Sequence, residues 1–97
     1  MKYYKWFWDE PLGGDFDTWG TSTYFLEIGD NFYPLRQIEI YENGNVLFYD
    51  RQHLSDEFGM LCDQPFRTLE IQEFEITSDE FELMWNTQVP INRCVKH

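Results

Sequence analysis

Few residues of this chain are suited to nucleophilic chemistry. A Ser, Thr or Cys nucleophile needs a base beside it, and the 97 residues contain two histidines, His53 and His97. His53 stands two positions before Ser55 and reads most simply as a loop histidine. Paired carboxylates serve glycosidases at a set separation inside a substrate cleft. Here 18 Asp and Glu in 97 residues make pairs inevitable, and so short a chain has little room for such a cleft. Asp15-Phe16-Asp17 invites a calcium reading. An EF-hand loop starting at Asp15 needs an oxygen ligand at its fifth position and Glu at its twelfth, where Trp19 and Leu26 stand. Asp9, Glu10, Asp15 and Asp17 therefore read as a solvated acidic loop, with casual capture of a hard cation as the alternative. Gly13-Gly14 lacks the Gly-Lys-Ser/Thr that completes a phosphate cradle. Cys62 and Cys94 make neither a metal pattern nor a disulfide framework; they read as free thiols in a reducing compartment, a single bridge being the alternative. No catalytic, cofactor-binding or metal-ligating set emerges, and the expectation is a protein that is not an enzyme.

What remains is a charged surface rich in aromatics. Seven Lys and Arg against 18 Asp and Glu give a net charge of −11. A magnitude of about 2–8 already keeps a small domain soluble. The excess repels nucleic acid and anionic membrane and accelerates encounter with a basic protein. An acidic disordered tail would be poor in aromatics, whereas this chain is 42% hydrophobic and 20% aromatic. Large rings bury about 150–250 Å2 each, enough for one folded domain spanning residues 1–97 without a disulfide or structural metal. The start of the sequence lacks the apolar run of a signal peptide, and no stretch approaches the ~20 apolar residues of a membrane span. A cytosolic protein is expected.

The elements that must carry this surface are mostly strands. Tyr3 to Trp8 is aromatic and free of strong helix formers; Thr23 to Ile28 reads as a second strand, ended by Gly29-Asp30-Asn31. A third follows Pro34, and with Val46 to Tyr49 it flanks Asn43-Gly44, the dipeptide of a two-residue type I′ hairpin. In that register Ile40 faces Leu47 and Ile38 faces Tyr49. Ile38, Ile40, Leu47 and Tyr49 then form the core face, leaving Glu39, Tyr41 and Phe48 on a half-exposed second face. Ser55 to Phe58 suits a single helical turn stopped by Gly59, and Leu69 to Ile76 a last strand. Thr77 with Glu80 is a capping box for a helix reaching Asn86, with Phe81, Met84 and Trp85 as its apolar stripe. The class is α+β: an antiparallel meander of about four to five strands covered by a C-terminal helix.

The run Leu35-Arg-Gln-Ile-Glu-Ile-Tyr-Glu-Asn-Gly-Asn-Val-Leu-Phe-Tyr-Asp50 resembles a hairpin pattern of short bacterial proteins. Those chains pair an Arg-x-(Val/Ile)-Glu-(Val/Ile)-(Phe/Tyr) strand with an Asp/Asn-Gly turn. They begin with an aromatic strand and end in a helix like Ile76 to Trp85. Proteins of this look resemble the immunity proteins encoded beside polymorphic or contact-dependent bacterial toxins. The resemblance implies a cytosolic inhibitor of a basic toxin C-terminal domain, a nuclease among the options, and brings no catalytic residues with it. The alternatives are a phage-type inhibitor or nucleic-acid mimic of a defence nuclease, and a small metal-binding domain. The candidate partner-binding residues are Asp9, Glu10, Asp15 and Asp17 in the long loop, Asp56, Glu57 and Asp63 after the hairpin, and Glu39, Tyr41 and Phe48 on its second face.

Overall fold

The computed structural model describes residues 1–8, 18–62 and 74–92. Among the described residues lie five strands, β1 (Lys2–Trp8), β2 (Ser22–Ile28), β3 (Pro34–Tyr41), β4 (Val46–Asp50) and β5 (Glu75–Ile76), and one helix, α1 (Ser78–Thr87). The strands form one antiparallel sheet in the order β4-β3-β2-β1-β5. The first four make the expected meander, and the last strand lies along the outer side of β1. Residues 69–73 of the expected last strand are outside the described residues. Pro34 opens β3 rather than preceding it, at the irregular end of the β2–β3 ladder where Ile28 is its partner. Among the described residues no helix is long and apolar enough to cross a membrane.

The central hairpin closes one residue earlier than a two-residue turn would close it. Tyr41 N–H donates to Asn45 O and Gly44 N–H to Tyr41 O, both at 2.9 Å. Gly44, at φ 93°, takes the left-handed position. This is a three-residue loop, a type I turn followed by a left-handed residue, and it pairs Ile40 with Val46, Ile38 with Phe48 and Gln37 with Tyr49. Because side chains alternate with period 2, a one-residue slip exchanges the faces of one strand relative to the other. The expected core face is therefore corrected. Phe48 joins Ile38 and Ile40 under the helix, while Leu47 and Tyr49 join Tyr41 on the opposite face.

Helix α1 is capped as expected: Thr77 Oγ1 accepts from Glu80 N–H at 3.2 Å, and Asp79 and Glu80 sit in the positive first turn. Its Phe81 is wholly buried against Phe25, Ile38, Val46 and Phe48. Trp85 stacks on Phe48, with ring centroids 4.5 Å apart. Arg36 fastens the helix to the sheet. Its guanidinium lies over the rings of Phe81 and Trp85 and bonds both Glu27 of β2 and Glu82 of α1. Glu27, first, and Glu82 hold Arg36 firmly protonated, and Arg36 in turn lowers the carboxyls of both.

The second face is packed rather than half exposed. Tyr41, Leu47 and Tyr49 meet Leu61, with Trp19 and Phe58 laid over them, while Tyr4, Leu26 and Ile28 form a neighbouring cluster. Replacing Phe81 by Ala is expected to cost about 3–5 kcal/mol in denaturant unfolding. Leu83→Ala, on the exposed side of the same helix, should stay within about 0.5 kcal/mol.

Candidate protein-binding surface

Of the ten candidate partner-binding residues, Asp9, Glu10, Asp15, Asp17 and Asp63 lie outside the described residues. Glu39, Tyr41 and Phe48 belong to the interior, at 4%, 3% and 3% exposure. Phe48 lies under the helix. Glu39 and Tyr41 are buried on the opposite face, where Leu47 and Tyr49 join Tyr41 and the side chains of Trp19, Phe58 and Leu61 cover it. None of the three can meet a partner in this fold. That correction leaves Asp56 and Glu57, and they have different roles.

Glu39 is the centre of a buried polar network. Its carboxylate accepts from the Tyr41 hydroxyl and from Gln37 Nε2 at 2.6 Å. Gln37 also ties down the segment above it, donating to Met60 O and accepting from Cys62 N–H. Burial raises the Glu39 carboxyl above its ordinary range, and the bonds from Tyr41, Gln37 and Tyr24 offset part of that rise. The same burial, with Glu39 beside it, raises the Tyr24 hydroxyl to about 12.

Asp56 organises the loop between β4 and residue 62. Ser55 and Met60 pair as an isolated bridge, and Asp56 N–H donates to Gly59 O at 2.9 Å. The segment is thus a tight extended loop and not the expected helical turn. Asp56 Oδ1 accepts from the Tyr49 hydroxyl and from the amides of Phe58 and Gly59. Oδ2 meets His53 Nε2 at 2.7 Å and accepts from Asn92 Nδ2 at 2.8 Å. Burial alone would raise this carboxyl; His53, Asn92, Phe58 N–H and Tyr49 together outweigh it and bring it down to about 2. His53 is therefore a loop residue paired with Asp56. Among the described residues no group of three His, Cys, Asp or Glu is placed to hold a metal ion.

Asn92 was not singled out by its sequence context, yet it links three elements. Its carboxamide accepts from Phe48 N–H at 3.0 Å and donates to Phe48 O at 2.9 Å, and Ile91 N–H donates to Val46 O. A side-chain amide thus stands in for a neighbouring strand on the outer side of β4, where an open edge would otherwise template pairing with another chain.

The fixed loop presents an apolar cleft. Tyr33, Pro34, Leu54, Met60, Leu61 and Cys62, together with Arg51 and Ser55, line a space of about 350 Å3. Leu54 and Met60 are 54% and 49% exposed. Glu57 is exposed in the same loop. An apolar concavity bordered by polar groups is the ordinary form of a docking site.

Two pH signatures of opposite sign follow. A carboxyl lowered in the folded state contributes stability above its unfolded value and loses it as pH falls. Asp56 should therefore contribute about 2 kcal/mol near neutrality, lost between about pH 4 and 2, and Asp56→Asn should remove that loss in pH-dependent urea unfolding. A raised carboxyl does the reverse. Its stability is fully present below the ordinary carboxylate range and is lost as pH rises through the folded value, so Glu39→Gln should flatten the decline toward neutral pH. No family model matches the chain, and neither a curated protein nor a solved structure matches it significantly.

Proposed function

We propose that this chain is a protein-binding inhibitor of the immunity type, which neutralises a basic toxin by covering its active site or holding it inactive. The observation that carries the reading is where its charges go. Arg36 is taken up between Glu27 and Glu82, and Lys2 pairs with Glu75, which leaves Lys5 and Arg51 as the exposed cations outside an ion pair among the described residues. Asp30, Glu57, Asp79 and Glu80 are exposed, with no ion-pair partner among the described residues. Among the described residues, exposed acids outside ion pairs thus outnumber such cations, on a body that also exposes apolar side chains. Negative charge gives fast, selective encounter with a basic surface, and buried apolar anchors give the complex its lifetime. Asp56 enters the mechanism as a positioning residue that shapes the loop, and Glu57 as a charge on its rim.

The test is co-expression with the protein encoded immediately next to this one. A stoichiometric complex is expected, with the neighbour toxic alone and harmless in company. Combining Asp30→Lys with Glu57→Lys should slow association about tenfold or more at low salt, and high salt should erase the difference. Absence of a complex and of toxicity would overturn the immunity reading; an unchanged association rate would remove its electrostatic part.

A further inference from the structure

The β2–β3 and β3–β4 hairpins close on the same turn. In Gly29–Tyr33, Gly29 N–H donates to Tyr33 O and Phe32 N–H to Gly29 O, while Asn31 Oδ1 accepts from Tyr33 N–H. In Tyr41–Asn45, Tyr41 N–H donates to Asn45 O and Gly44 N–H to Tyr41 O, while Asn43 Oδ1 accepts from Asn45 N–H. The third loop position is left-handed in both, at φ 93° for Gly44 and 69° for Phe32. Glycine takes that conformation freely; for a bulky residue it is a true outlier. The chain thus uses the relaxed solution in one hairpin and the strained one in the other. Packing does not compensate the strain, because Phe32 is 52% exposed. Strain of this kind gathers at sites of function.

Phe32 is followed directly by Tyr33, which lines the cleft with Leu54 and Met60; Phe32 and Asp30 themselves line a second hollow of about 240 Å3, with Lys2 and Tyr4 among its walls. We infer that Phe32 is the anchor through which this chain docks a basic protein, whose apolar side chain enters the cleft while a neighbouring Lys or Arg meets Asp30 or Glu57. The inference rests on the inhibitory reading above and names its surface. Charge decides the occupant: Asp30 and Glu57 are exposed with no ion-pair partner among the described residues, against the single cation Arg51 in the cleft lining. A basic chain is therefore favoured over a second copy carrying the same acids.

Phe32→Gly separates display from packing. Glycine keeps the turn and loses the strain, so the melting temperature should rise by about 4–8 °C. A fall would make Phe32 a packing residue and overturn the proposal. The binding probe is a random peptide library displayed on phage, selected against the whole chain. Enriched peptides should combine Lys or Arg with aliphatic or aromatic residues, and Phe32→Gly should weaken them about 30-fold or more. Peptides that are neutral or acidic, peptides indifferent to the substitution, or no enrichment at all would each overturn the docking site. Enrichment of basic peptides without a complex with the adjacent gene product would retain the surface and discard the toxin as its partner.

Discussion

The fold depends on how its hairpins turn. A three-residue loop with a left-handed third residue closes both the β2–β3 and β3–β4 connections; in β3–β4 the closure sets the pairing along both strands, and in β2–β3 a register shift between Glu27 and Ile28 resets it. In the second hairpin it puts Phe48 opposite Ile38, under the helix, and Leu47 opposite Glu39 on the far face. Both faces of the sheet consequently become core. One is covered by α1 through Phe81 and Trp85, the other by Trp19, Phe58 and Leu61.

Burying both faces of an acidic chain places carboxylates inside, and the structure satisfies them by three routes. Glu27 is neutralised by Arg36, whose bidentate geometry also clamps Glu82 of the helix. Asp56 gathers five donors from loop, strand and C-terminal segment and stays ionised to low pH. Glu39 has hydrogen-bond donors but no cation among the described residues, and its carboxyl rises instead. Asp56 and Arg36 thus link distant segments, while Glu39 makes its face specific at some cost to stability. The net negative charge of the sequence overstates the charge on the surface, since part of it is interior and structural.

Much of the architecture was legible in the residues. Alternating aromatics marked β1, Thr77 with Glu80 marked the helix start, and the Phe81/Met84/Trp85 spacing identified the buried stripe. The register was not legible, because Asn-Gly suits a two-residue loop and the second half of a three-residue loop equally well. Among the hairpin candidates that ambiguity misplaces Phe48 alone; Glu39 and Tyr41 keep the face the sequence assigns them, and they are interior because Trp19, Phe58 and Leu61 cover that face. Asn92 gave no signal, since a carboxamide that replaces a strand depends on tertiary placement alone. Phe32 was hidden for a similar reason: Gly29-Asp30-Asn31 announces a turn, but which residue takes positive φ depends on the bonds that close it. The sequence offers Asp56 as one acid among many; that its carboxylate is engaged by donors from Tyr49, His53, Phe58, Gly59 and Asn92 depends on tertiary placement.

On the proposed reading the docking surface is what the packed interior leaves outside: a turn carrying Asp30, Phe32 and Tyr33, and a loop carrying Leu54, Glu57 and Met60 that Asp56 and Gln37 keep in place. Hydrogen exchange of the chain, alone and in complex with the product of the adjacent gene, addresses this claim most directly. The account expects added protection confined to residues 29–34 and 54–60, with the amides of β3 and α1 unchanged. Protection centred on the exposed side of α1, around Leu83, or none in either segment would contradict it.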